Sequence, residues 1–277
     1  MIVWISSYPK SGNTYIRSFL AAYYFSEKGK FEFDQLINIL QFPSLNYSKE
    51  DYFNYNDVAK NWIDNQNHFF PKEEIKFLKT HNTLKPYFGE KFTTSIQTLG
   101  AIYIVRDPRN LVTSMSHHFS LSQEDAFKKL IDSSASLSEK SINGDCSNFT
   151  FLGTWSDHYS SWKNNKEFDV LFLRYEDLKN NSEYIFRKII NFIEKLKNSN
   201  RQIDEKKLIN SIKSTNFANL RNKELNQGFN EGVFTNNRKR KNFFNLGFKN
   251  DWKKLLHKSL IEKINSTLIN ELEELNY

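Results

Sequence analysis

One cysteine, Cys146, with five prolines and nine glycines among 277 residues, excludes several classes at once. A lone thiol builds neither a disulfide framework nor a thiolate zinc site. So little Pro and Gly leaves no stretch composed like an interdomain linker, and no internal repeat is found. No apolar run approaches the ~18 residues of a membrane-spanning helix. The longest candidate, Phe19 to Phe25, is broken off by polar neighbours. The opening Met-Ile-Val-Trp-Ile-Ser carries no basic leader, so the expectation is a soluble, cytoplasmic protein. The six histidines show no ligand spacing, and no metal is expected.

What is plentiful is aromatic: 25 Phe and 13 Tyr bring the aromatic share to 16% against 39% apolar residues in all. Large rings bury much area each, so the core is not starved. The formal net charge of +7 suggests an anionic partner.

The chain alternates strand and helix signals. Ile2-Val3-Trp4-Ile5-Ser6 reads as a strand buried on both faces; Ile16, Phe19, Leu20, Tyr23 and Tyr24 then fall on one helical stripe. Leu99–Val105 reads as a strand, Asp107-Pro108 as a helix cap, and Leu111, Val112, Met115 and His118 as the next stripe. Strands are also expected at Ile75–Leu78 and Val170–Leu173, and a helical tail from Asp251 with Trp252, Leu255, Leu256, Leu260 and Ile264 on one side. Such alternation predicts a three-layer α/β fold, a mostly parallel sheet with helices on both faces. Residues 1–277 read as one domain, with insertions at about 26–74, 120–150 and 222–250 over the strand ends.

The turn Tyr8-Pro9-Lys10-Ser11-Gly12-Asn13-Thr14 lies between a buried strand and a helix. Free N–H groups and the positive helix end there suit a phosphate or sulfate. The turn lacks the glycine spacing of the Walker pattern before Lys10-Ser11, so it is P-loop-like without being a standard nucleoside-triphosphate loop. Three other strand ends carry groups suited to anions or proton transfer: Lys79-Thr80-His81, Arg106 with Ser114, and Arg174-Tyr175. In a parallel sheet these ends converge on one crevice.

Residues 8–15 resemble the 5′-phosphosulfate loop of sulfotransferases that use 3′-phosphoadenosine-5′-phosphosulfate (PAPS). Tyr103 through Ser114 to Phe119 resembles their 3′-phosphate segment, and Lys79-Thr80-His81 the stretch with their catalytic histidine. Gly153–His158 with Trp162, and Arg174–Leu178, are similar in order and spacing, so the resemblance runs from residue 2 to about Leu256. It implies metal-free, in-line transfer of a sulfuryl group from PAPS to an acceptor hydroxyl, or less readily an amine. It gives His81 as general base, Lys10 at the leaving phosphate and Lys79 beside the transferred group. Ser11, Gly12, Asn13 and Thr14 would cradle the 5′-side, Arg106 and Ser114 the 3′-phosphate, and Tyr15, Tyr175, Thr215 and Phe217 the adenine side.

The sequence departs from the family near its end. An Arg-Lys pair is expected before Gly247, yet Asn245-Leu246 stand there, and Arg238, Arg240 or Lys241 are candidates to replace it. Two other readings remain at this stage, a nucleotide kinase or NTPase and a basic nucleic-acid-binding module, although no nucleic-acid partner is expected. The acceptor, a small molecule, lipid or carbohydrate, is not specified by any motif.

Overall fold

The computed structural model describes residues 1–234 and 240–277. Four parallel strands form the central sheet in the order β2-β1-β3-β6: β1 (Ile2–Ser7), β2 (Lys76–Thr80), β3 (Thr98–Val105) and β6 (Val170–Arg174). Two two-residue ladders lie outside it, β4 (Ser136–Leu137) with β5 (Thr150–Phe151), and β7 (Val233–Phe234) with β8 (Arg240–Lys241).

Strand alternation separates two cores. Ile2 and Trp4 face one apolar cluster together with Ala101, Tyr103 and Val105. Val3 and Ile5 face the other together with Ile102, Ile104, Leu171 and Leu173. The first cluster is covered by α4 (Pro108–Phe119), α5 (Gln123–Leu130), α6 (Trp155–Lys163), α11 (Lys258–Thr267) and α12 (Ile269–Glu274). The second is covered by α1 (Asn13–Phe25), α7 (Asp177–Leu196), α8 (Glu205–Ser214) and α9 (Phe217–Gln227). Helices on both faces of a parallel sheet are the expected layers.

Residues 26–74 hold α2 (Tyr55–Lys60), α3 (Trp62–Phe69) and two 3₁₀ turns. Trp155, Tyr159 and Trp162 are buried as a packing stripe of α6. The tail differs from its expected single helix. A short α10 (Trp252–Leu255) stops at Leu256, whose extended backbone breaks the run, and Leu255 is exposed instead of joining the stripe.

Candidate active site

A cavity of about 910 Å³ opens over the C-terminal ends of β1, β2 and β3. This is where a doubly wound sheet places its ligands. Lys10, at φ 69, and Gly12, at φ 101, both take left-handed backbone conformations that turn the chain sharply from β1 into α1. The first helical N–H groups to find acceptors are those of Tyr15 and Ile16, both on the Gly12 carbonyl. Those of Gly12, Asn13 and Thr14 precede them at the open, positive end of the helix. Glycine is required at 12 for a second reason: a Cβ there would stand 2.4 Å from the Tyr175 ring.

Lys10, Lys79 and Arg106 all line the cavity. Burial, then repulsion from Arg106 and Lys79, lowers Lys10 to about 7. Its ammonium lies 3.8 Å from the centre of the Phe243 ring and donates to His118 Nδ1 at 3.3 Å. Glu224 fixes that ring by accepting the Phe243 and Phe244 N–H groups at 2.6 and 2.8 Å. Arg106 donates to the Lys10 carbonyl at 2.8 Å and lies over the Tyr175 ring, so it braces the phosphate turn. Its buried Nε has no hydrogen-bond partner among the described residues.

His81 is tied by geometry to one tautomer. Its Nδ1 lies 2.7 Å from the Ser7 carbonyl, which can only accept, so Nδ1 carries the proton and Nε2 is left without a partner among the described residues. The His81 carbonyl accepts from His158 Nε2 at 2.9 Å, and His158 Nδ1 in turn accepts from the Tyr103 hydroxyl at 2.7 Å. Burial, and then the charge of Lys79, hold His81 well below the usual imidazole range, so it is neutral at pH 7.

Beside it, Lys79 pairs with Glu231 at 3.1 Å, and Arg17 donates to the other Glu231 oxygen at 2.5 Å. Burial pushes the Glu231 carboxyl up, but Lys79 and Arg17 together bring it well below its ordinary value.

Most of the residues expected at the site do meet at this cavity: Lys10, Gly12, Asn13, Thr14, Tyr15, Lys79, His81, Arg106, Ser114, Tyr175, Phe217 and Gly247 all line it. Phe217 rests on Gly247, where a Cβ would stand 2.5 Å from its ring. Tyr15 meets Phe186 and Phe248 edge-on, and Tyr175 stacks on Phe248, forming an aromatic wall.

Others lie elsewhere. Thr215 is fully buried off the cavity, its hydroxyl committed to the Ser211 carbonyl at 2.7 Å. Ser11 is buried beneath the turn, its N–H bonded to the Tyr8 carbonyl. Arg174 turns away toward the C-terminus, donating to the Leu275 carbonyl at 3.0 Å and lying over Tyr277. Lys241 does not stand in for the missing cations. Its ammonium donates to the His117 carbonyl at 2.8 Å and to Ser120 Oγ at 2.9 Å, where it caps the negative end of α4. Arg238 lies outside the described residues. Arg240 is described by its backbone, which pairs with Phe234; its side chain lies outside the described part.

Sequence reasoning missed Glu231, Arg17 and the approach of His118. His118 was assigned to an apolar stripe by its spacing, yet it lines the cavity beside Lys10.

The sequence profile of the sulfotransferase domain matches residues 2–275. The chain belongs to the sulfotransferase family. A luciferin sulfotransferase from Photinus pyralis is 25% identical over 229 residues, covering 79% of this chain and 56% of that protein. Cytosolic sulfotransferase 12 from Arabidopsis thaliana is 29% identical over 173 residues, 60% of this chain and 48% of that one. The matched stretch thus spans about half the length of each of these relatives. Among solved structures, a mouse sulfotransferase complexed with PAP shares the fold at TM-score 0.60 and 20% identity, covering 98% of this chain and 83% of that one. These likenesses give no support to the kinase or nucleic-acid readings.

Proposed function

We propose that this sulfotransferase-family protein transfers a sulfuryl group from PAPS to a hydroxyl, or less readily an amine, of a small-molecule acceptor by in-line displacement. The observation that carries the reading is the meeting, at one cavity, of a phosphate turn ringed by Lys10, Lys79 and Arg106 with a neutral His81 whose proton sits on Nδ1. The residues fit the donor. The Arg106 Nε–H is buried without a partner among the described residues, and the N–H groups of residues 12–14 precede the first intrahelical bonds of α1.

When bound, PAPS supplies an activated sulfuryl group whose bond to the 5′-phosphate breaks as the acceptor oxygen bonds to sulfur. His81 Nε2 takes the acceptor's proton, while its Nδ1–H stays on Ser7 and keeps the ring oriented. Lys10 and the N–H groups of residues 12–14 offset the charge left on the phosphate. Lys79, held by Glu231, stands beside the transferred group. Arg106 and Ser114 bind the 3′-phosphate, with Arg238 and Arg240 proposed as its further cations. Tyr15, Tyr175, Phe217 and Gly247 present an aromatic slot for adenine. We also keep the chain as one domain, which the profile match from 2 to 275 supports. We place it in the cytoplasm, as the name of the plant relative says of that protein.

Replacing His81 with Ala tests the base. PAP affinity should stay within about threefold, while transfer from labelled PAPS should fall by roughly 10²–10⁴-fold. Unchanged turnover in this variant would remove His81 from the mechanism.

A further inference from the structure

Beyond His81 the cavity changes character. The Thr83 N–H donates to the Phe151 carbonyl at 2.9 Å, and the Phe151 N–H donates to Asn82 Oδ1 at 2.8 Å. These two bonds lock the β4–β5 ladder against the segment that follows the base, and the ladder forms one wall of the cavity. Ser136, Ser138, Asn148 and Thr150 line the cavity from it, and Leu137 is the single apolar side chain that the described residues 136–150 contribute to the lining. The nucleotide side, with its four aromatic rings at 15, 175, 217 and 248, is built the opposite way.

The polar wall is ordered. Ser138 Oγ donates to Asn148 Oδ1 at 3.2 Å, and the Asn148 amide is held by donation to the Glu139 carbonyl at 2.8 Å. The Thr150 hydroxyl, on an almost wholly buried residue at the cavity edge, donates to the Asn148 carbonyl. At the rim Lys129 and Glu139 are exposed and of opposite sign, so the wall favours neither an anionic nor a cationic acceptor. A flat apolar acceptor laid here would strip water from these hydroxyl and amide groups and return no hydrogen bonds. A ligand rich in hydroxyls would replace that water group for group.

We infer that the acceptor is a neutral, polyhydroxylated molecule of the sugar class, bound on the β4–β5 wall with one hydroxyl presented to His81 Nε2. This rests on the proposed sulfuryl transfer and names its acceptor class. The energetic case is that of a site built to hydrogen-bond a hydroxyl, which discriminates against analogues lacking one far more than an apolar pocket discriminates between apolar ligands.

The test uses the full chain with labelled PAPS and two acceptor sets, neutral mono- and disaccharides of the common hexoses, and 4-nitrophenol. PAP binding is measured separately by calorimetry. The expected result is a kcat/KM for at least one saccharide roughly tenfold or more above that for the phenol. Ser138→Leu should lower the saccharide-to-phenol ratio of kcat/KM about tenfold while leaving PAP affinity unchanged. Thr150→Val, which keeps the shape and removes the hydroxyl, should act in the same direction. A preference for the phenol, or PAP binding with no saccharide sulfated, would overturn the acceptor class; so would variants that slow both acceptors equally. Absence of PAP binding together with absence of all transfer would instead defeat the proposed function.

Discussion

A lysine buried among other cations holds its proton weakly, and Lys10 is such a lysine. Its ammonium is lowered to about 7 by burial, Arg106 and Lys79, against the weaker opposing pull of Glu231 and Glu224, and it meets the Phe243 face and the His118 nitrogen. A bound polyanion favours the charged form and must raise that value. Below pH 7 the free protein already carries the proton. Above it, each donor molecule that binds has to draw one proton from solution, so affinity falls as pH rises, by up to about tenfold per unit. Calorimetry of PAP between pH 7 and 9, in two buffers of different ionisation heat, should show that fall and an uptake approaching one proton. A flat affinity with no uptake would show that Lys10 does not change charge on binding. Lys10 and His81 were legible in the sequence because each belongs to a short motif at a strand end. Glu231 and His118 were not. Glu231 reaches Arg17 from 214 positions away, and the Lys10–His118 contact spans 108, so only the closed fold brings them together. Spacing alone gave His118 an apolar stripe, since periodicity reports a helix face without reporting what that face meets.

At the scale of elements, the turn and the 3₁₀ segment near residue 247 shape the aromatic slot through two glycines. Gly12 is overlaid by Tyr175, and Gly247, at φ 54, by Phe217. Gly247→Ala places a methyl 2.5 Å from the Phe217 ring, at a backbone angle that L residues seldom adopt. Overpacking of this kind costs about 1–3 kcal/mol. PAP affinity should fall by about tenfold or more with the phosphate turn left intact. Titration of the variant with PAP checks this, and an unchanged affinity would separate Phe217 from the nucleotide. The strands and the Asp107-Pro108 cap were readable because local pattern and tertiary burial agree there. The C-terminal tail was misread as one helix, because its leucines keep helical spacing across Leu256, where the backbone is extended. The phosphate turn was readable as a cradle. That the ring on its glycine belongs to Tyr175, from another strand end, depends on how β3 and β6 pair.

For the whole molecule, a net charge of +7 first suggested a broad anionic partner. The structure concentrates the part that matters. Lys10, Lys79 and Arg106 surround one cavity, while Lys241 is committed to the end of α4 and Arg187 to Glu183 and Glu205 on the surface. A sheet with a P-loop-like turn could serve a nucleoside triphosphate with magnesium or an adenosine 3′,5′-diphosphate without it, and the sulfotransferase family membership favours the second. The most direct test is calorimetric titration of the full chain in EDTA with PAP, set against titration with Mg-ATP. The expected result is metal-independent PAP binding at micromolar affinity or tighter, roughly 100-fold above that for Mg-ATP. Tighter binding of Mg-ATP, or PAP binding that appears only when magnesium is added, would contradict it.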